Sequence, residues 1–291
     1  MIVITWALFS FLLSHLFAAQ VPMDVPSPPT EETPLERSEF PLLELGILGG
    51  AVSSPDYPSA SRSRLRGLGF PNFRYRGKLF RSEENEGTRA RLIGHPIYKL
   101  DFSFGLNFPV DSNSSDVRRG MPDLDFIGEL GPRFKVRLRP ESRDWQKIEL
   151  VFPFRAAIMS NFKYFQDRGF TFTPGIQWGH KDIFCPRCQL FARVSAMFAD
   201  ERYQEIFYEV APQYVTANRP YYDAKSGFMG WQLFTGYVLR IQKFQAFLGM
   251  NYNRYDGATN HPSPLFQQNY NYTYILGLGW LFWQSQEKGY K

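Results

Sequence analysis

The sequence predicts an all-β fold: a transmembrane antiparallel β-barrel of about twelve strands in up-and-down order, or ten if strands merge near the N-terminus. Three observations carry this reading. From residue 41 onward, apolar and polar residues alternate with period two, so the two faces of each strand meet different surroundings. The alternating stretches run to ten residues or more. A tilted strand needs that length to cross a bilayer, whereas sandwich strands are usually about five or six residues. The chain also carries 28 Phe, 16 Tyr and 6 Trp, and the rings gather toward the stretch ends, as in an interfacial girdle. A soluble sandwich alternates too. The long strands and the glycines and charges of the polar parity favour a sheet closed around a wet lumen, because lipid cannot satisfy open backbone edges.

The N-terminus is read apart from the barrel. Ile2 to Phe17 form an apolar run ending at Ala18-Ala19, which reads as a signal peptide over 1–19, since it is short for a helical span. Residues 20–40 hold Pro22, Pro26, Pro28, Pro29 and Pro34 among acids, a Pro-rich acidic periplasmic leader without fixed structure. The leader contains one base, Arg37, and five acids. The chain has 33 bases and 28 acids, so the remainder carries 32 against 23, a net +9. These bases are spread among strands and form no single patch, which argues against a nucleic-acid partner. Two cysteines exclude a disulfide-framed scaffold, and the single long apolar run excludes a polytopic helical protein.

Strands are expected over 42–53, 65–76, 78–84, 87–94, 97–109, 123–139, 145–158, 168–180, 187–200, 227–241, 243–255 and 269–283. They fill a barrel domain over 41–283, followed by a polar tail over 284–291. In the last strand Tyr270, Tyr272, Tyr274, Leu276, Leu278, Trp280 and Phe282 share one parity, against Asn271, Thr273, Gly277 and Gly279 on the other. The pattern repeats in 97–109, where Tyr98, Leu100, Phe102 and Phe104 alternate with Lys99, Asp101, Ser103 and Gly105. In 227–241, Met229, Trp231 and Leu233 fall on the apolar parity. Dividing 78–94 at Glu83-Glu84-Asn85-Glu86 gives the even count. Short connections near Arg76-Gly77, His95-Pro96, 140–144, 181–186 and Gln242 then alternate with long ones at 54–64, 110–122, 159–167, 201–226 and 256–268. The short set reads as periplasmic turns and the long set as extracellular loops.

The polar parity supplies candidate lumen charges. Glu129, Arg133, Lys135 and Arg137, with Arg139, share one parity of 123–139. Lys147, Glu149 and Arg155 share the inward parity of the next strand, and Arg240 that of 227–241. Antiparallel pairing would gather these charges on one wall. Such a wall serves either as a basic lining for anionic solutes or as a salt-bridged interior that fills the lumen. Outer basic loops, Arg62 to Arg66 and Arg118-Arg119, are expected to contact lipopolysaccharide phosphates, because Arg forks bind phosphate in two-pronged fashion.

Cys185-Pro186-Arg187-Cys188 has redox-motif spacing but falls in a predicted turn rather than at a helix N-terminus. It reads as a small turn disulfide or a pair of free thiols. The histidines show no metal-ligand spacing, and no cofactor is expected. His261-Pro262-Ser263 matches the His-x-Ser of an outer-membrane phospholipase, but in a Pro-containing loop without the downstream Asn, and it reads as an ordinary loop.

Three motifs in order resemble the MltA-interacting protein/OmpV (MipA/OmpV) family. The first is Ser54-Pro55-Asp56-Tyr57-Pro58-Ser59 after a Gly-rich strand, then Pro71-Asn72-Phe73-Arg74-Tyr75. The second runs from Asp200 through Tyr203 and Phe207 to Val210, then Pro220-Tyr221-Tyr222-Asp223-Ala224. The third is the closing Gly277-Leu278-Gly279-Trp280-Leu281-Phe282. Glu209 stands where the family usually shows Gly, and the chain continues past the usual terminal aromatic. The resemblance implies a non-catalytic Gram-negative outer-membrane barrel with a scaffold or surface role. It also implies partners among peptidoglycan hydrolases and synthases, and it adds Pro55, Asp56, Tyr57, Tyr203, Phe207, Pro220, Tyr222 and Asp223 as motif residues.

Overall fold

The computed structural model describes residues 37–77, 80–83, 87–90, 97–138 and 145–290. The expected signal peptide, the leader up to 36, the dividing residues 84–86, the turn at His95-Pro96 and residues 139–144 with Arg139 lie outside them.

Fifteen strands occur among the described residues. They are β1 Arg37–Pro41, β2 Leu43–Pro55, β3 Ser63–Arg76, β4 Phe80–Glu83, β5 Gly87–Ala90, β6 Tyr98–Asn107, β7 Phe126–Arg137, β8 Gln146–Ser160, β9 Phe165–Phe172, β10 Gly175–Lys181, β11 Cys188–Ala199, β12 Gly227–Ile241, β13 Phe244–Arg254, β14 Tyr270–Gln284 and β15 Lys288–Tyr290. A helix, α1, spans Glu201–Tyr208. No described helix is long and apolar enough to cross a membrane.

One antiparallel sheet runs β5-β4-β3-β2-β14-β13-β12-β11-β10-β8-β7-β6, and β5 lies beside β6, so the sheet returns on itself. The strand β9 pairs with β8 and β11, the same two neighbours as β10. The two are therefore halves of one stave. The sequence predicts a single strand over 168–180; the break falls at Thr173-Pro174, where proline has no N–H for the ladder. Backbone bonds from Thr173 to Pro153 and from Ala196 to Pro174 carry the pairing across it. Counted this way, the wall has twelve staves in up-and-down order, and β4 and β5 form the hairpin that the division at Glu83–Glu86 implies.

The ring-bearing parity faces outward. On β14, Leu278 is 63% exposed while Asn271, on the other parity, is 1% exposed. A wall apolar outside and polar inside is that of a membrane-spanning barrel. One residue departs from the pattern. The register of β11 against β12 shifts between Met197 and Phe198, and Gly230 holds φ +143°, a conformation that suits glycine. This bulge turns Met229 into the interior and leaves the Phe228 ring outside against Phe198 and Trp231.

Both ends of the barrel domain also differ from expectation. The leader's last residues and the polar tail pair with each other, β1 with β15. Because β2 and β14 are neighbours in the sheet, the chain enters and leaves the rim side by side. Ser285 N donates to Leu43 O at 2.7 Å, and Leu42 N donates to Glu287 O at 2.8 Å. The ladder simply continues past the rim. Arg76 fastens it, donating to Pro41 O at 2.8 Å and pairing with Glu44 at 2.7 Å.

Candidate functional site

At the end opposite this ribbon, the long connections meet in a packed cap. The sequence predicts a loop over 201–226; its first turns are instead α1. The Asp200 carboxylate caps the helix by accepting from Tyr203 N at 3.1 Å. Tyr203, Ile206 and Phe207 fall on one face and enter a buried cluster with Tyr57, Val110, Leu124, Tyr208 and Met229. Many polar groups within the cap bond inside it. Tyr57 donates to Leu265 O at 2.7 Å, Tyr208 to Pro58 O at 3.2 Å and Ser263 to Tyr208 O at 2.7 Å. Gln204 bonds to Ala199 O and Gly227 O and accepts from Asn260. The β2–β3 connection reaches the β6–β7 connection through Arg62 and Ser114 O. The β11–β12 connection reaches it as well, through Arg219 and Val117 O. These partners stand about a third of the circumference apart, so the loops cross the mouth of the barrel.

The motif residues divide between the inside and the outside of this cap. Asp56 is buried and pairs with Arg64 at 2.6 Å and Arg66 at 3.6 Å. Tyr57, Tyr203 and Phe207 are core residues, and Tyr222 donates to Asn260 at 3.0 Å. Pro55 ends β2, while Pro220 and Asp223 lie exposed. The Glu209 carboxylate accepts from Ala224 N at 3.2 Å, holding the helix exit to the second half of its motif. Arg118 corrects an expectation: it is no lipopolysaccharide-facing loop residue. It lies buried over the Tyr57 ring and donates to Phe207 O. Burial pushes its guanidinium down to about 10, so it stays charged at neutral pH. Burial raises the Tyr57 phenol and, aided by the Glu129 carboxylate, the Tyr203 phenol. Both remain donors.

Beneath the cap the lumen is charged, and many of its charges are paired with one another. Glu129 accepts from Tyr203 Oη at 2.6 Å and Thr171 Oγ1 at 2.9 Å, and lies 3.5 Å from Arg155 Nε. Asp101 takes a two-pronged pair from Arg133, at 2.6 and 2.9 Å, and Lys135 Nζ at 2.7 Å. The ladder sets Arg137 opposite Glu149 and Asp101 opposite Arg133. Arg240 stands opposite Gln245, away from this cluster.

Two lumen chambers result. The cap-side chamber, about 530 Å³, is roofed by Tyr57, Pro58, Tyr203 and Tyr255. The turn-side chamber, about 480 Å³, is lined by Arg133, Lys135, Lys147, Glu149, Arg155, Lys181 and Arg193. Arg155, Arg193 and Phe234 line both. Sequence reasoning passed over Asp101 as the anion of the wall, because only the β6–β7 register places it against Arg133. It also passed over Arg193, whose inward parity on β11 was readable from the alternation Gln189, Phe191, Arg193, Ser195.

The other candidates sit apart. Cys185 and Cys188 are bonded to each other in the β10–β11 turn. Ser263 and His261 do not meet: the hydroxyl serves the backbone of Tyr208 and Leu265, and the imidazole contacts Asn269 and the Phe266 ring. Among the described residues, no cluster of His, Cys, Asp or Glu is arranged for a metal.

A family model described as MltA-interacting protein MipA matches residues 47–282, from the first long stave to the last. The chain belongs to the MipA family. No curated protein matches this family member. Among solved structures, a "Bacterial polysaccharide outer membrane secretin" aligns at TM-score 0.39 and 9% identity, over 84% of this chain and 100% of that one. The outer membrane protein OprG from Pseudomonas aeruginosa aligns at TM-score 0.22 and 10% identity, over 84% and 97%.

Proposed function

We propose that this MipA-family chain is an outer-membrane barrel with a non-catalytic scaffold role. Membrane lipid and lipopolysaccharide surround its wall, and its turn end and acidic leader engage a murein-processing enzyme. The supporting observation is the family match across the whole barrel, whose description names a protein partner and no reaction. The packed cap and the internally paired charges agree with it. Side chains that could have served chemistry, such as Ser263 and Tyr203, are occupied by structural hydrogen bonds. A secreted chain bearing a cleaved signal would present the β1–β15 ribbon and the leader on the murein side. Pull-down from detergent-solubilised envelopes tests the reading. The full chain is expected to recover a murein hydrolase or synthase, and deletion of residues 20–36 to reduce the yield. Recovery of neither enzyme by the full chain removes the proposal.

A second reading, passage of small anions, is favoured by the excess of bases in the turn-side chamber. Planar-bilayer recording separates the two: the scaffold alone predicts no conductance.

A further inference from the structure

The turn-side chamber carries more positive charge than its acids balance. Six bases line it against the single acid Glu149. Asp101, on the neighbouring strand β6, answers Arg133 and Lys135, and Glu129, toward the cap, answers Arg155. Of the other three bases, Lys147, Lys181 and Arg193, it is Arg193 whose charged group has a buried nitrogen. Among the described residues no carboxylate pairs with it, and its Nε is buried without a hydrogen-bond partner. The guanidinium lies 5.8 Å from the centre of the Phe234 ring, and the charges that act on it are those of Arg133 and Arg155, both of its own sign. A cation drawn largely out of water is ordinarily paired, because losing hydration without gaining a counter-charge is costly. Here the missing partner is an anion, and the space for one lies directly beside the guanidinium.

We propose that the turn-side chamber binds a small oxyanion carrying two or more negative charges, of the phosphate or polycarboxylate class, with Arg193 as its principal contact and Lys147 and Arg155 beside it. An Arg fork presents paired N–H donors to two oxygens of such a group, and the charge-assisted bonds are the strong ones. The chamber volume of about 480 Å³ admits a group of sugar-phosphate size. The Phe234 ring, under the guanidinium, holds the fork in one plane. This inference deepens the anion reading above and needs only its charge: binding without conductance keeps the site and removes passage.

Calorimetric titration of the folded full chain in detergent tests it, with inorganic phosphate as probe, acetate as the singly charged comparison and glucose as the neutral one. Phosphate is expected to bind saturably, acetate more weakly, and glucose not at all. R193Q is expected to lower phosphate affinity by about tenfold or more, with its heat-modifiable gel shift intact. R62Q, at the cap, is expected to bind as the parent does. If R193Q does not fold, R193K, which keeps the charge and loses the fork, and K147Q probe the same contact. Absence of saturable phosphate binding in the parent overturns the proposal. So does unchanged affinity in R193Q, or in both substitutes.

Discussion

The cap and the wall use the same residue types for opposite ends. Tyr208 in the cap is 2% exposed, and its hydroxyl bonds inside the molecule; Tyr274 on the wall is 52% exposed, with its ring outward. The cap is a small water-type core, built from residues of several loops that close on one another. The wall has no such core. Its long apolar rows face away from the protein, and its interior is charged, with many of the charges paired and only a few rings, such as Phe191, Phe234 and Phe247, among them. The hydrophobic effect therefore holds the cap together by excluding water from within, whereas the wall is held by its ladders and by the lipid outside. Substitutions at matched residue types should separate these two regimes.

The largest difference is expected between Phe207→Ala and Leu276→Ala. Phe207 is almost wholly buried in the cap, and truncation there costs about 3–5 kcal/mol. That loss should appear as rapid proteolysis between residues 201 and 226, with the barrel's gel shift retained. Leu276, outward on β14, touches lipid before and after the change, and loop protection should not alter. If both variants behave alike, the cap is not an independent core.

A smaller effect probes the wall's interior. Asp101→Asn removes the anion shared by Arg133 and Lys135. Both cations then lose their shared counter-charge, and the cost is expected at about 1.5–3 kcal/mol. It should appear as a lower urea midpoint for the whole barrel, without loop proteolysis. Loss of the cap in this variant would tie the two regions together through Glu129 and Tyr203.

How legible each region is in the sequence follows the same division. Period two exposes the wall because every second residue meets one solvent, and stave order follows from hairpin connectivity. The cap has no period. Its core joins Tyr57 to Leu265 and Tyr208 to Pro58, over separations that no local pattern encodes. Even so, α1 left a trace: Asp200 followed by apolar residues at 203, 206 and 207 is a capped amphipathic turn, obscured by its setting between strands. Met229 was misplaced because a bulge resets parity without a strong local sign beyond its glycine. The lumen pairs lay between these cases. Parity put Arg133 and Lys135 inside, but their partner Asp101 needed the register.

Within the cap, Tyr57→Phe should cost about 0.5–1.5 kcal/mol by deleting the bond to Leu265 O, read as faster loop proteolysis than in the parent.

The smallest effect concerns the exposed side of α1, where Glu201, Glu205 and Glu209 are spaced one helical turn apart. Burial, then Glu209 and Glu201, raise the Glu205 carboxyl above its ordinary value, against the opposing pull of Arg168 and Arg202. A raised acid favours the folded cap when protonated. Its favourable contribution is present below the ordinary carboxyl range and is lost as pH rises through the folded value. At neutral pH the charged Glu205 therefore works against the helix. Glu205→Gln should slow loop proteolysis at pH about 7, corresponding to about 0.2–0.5 kcal/mol for each like-charge pair relieved, and should match the parent near pH 4, where both side chains are largely neutral. Because all three glutamates lie outside the wall and only Arg168 of β9 reaches them, the wall's urea midpoint should be the same for parent and variant at either pH. A shift there would mean that α1 is coupled to the staves more tightly than its bonds through Arg202, Tyr203 and Gln204 imply.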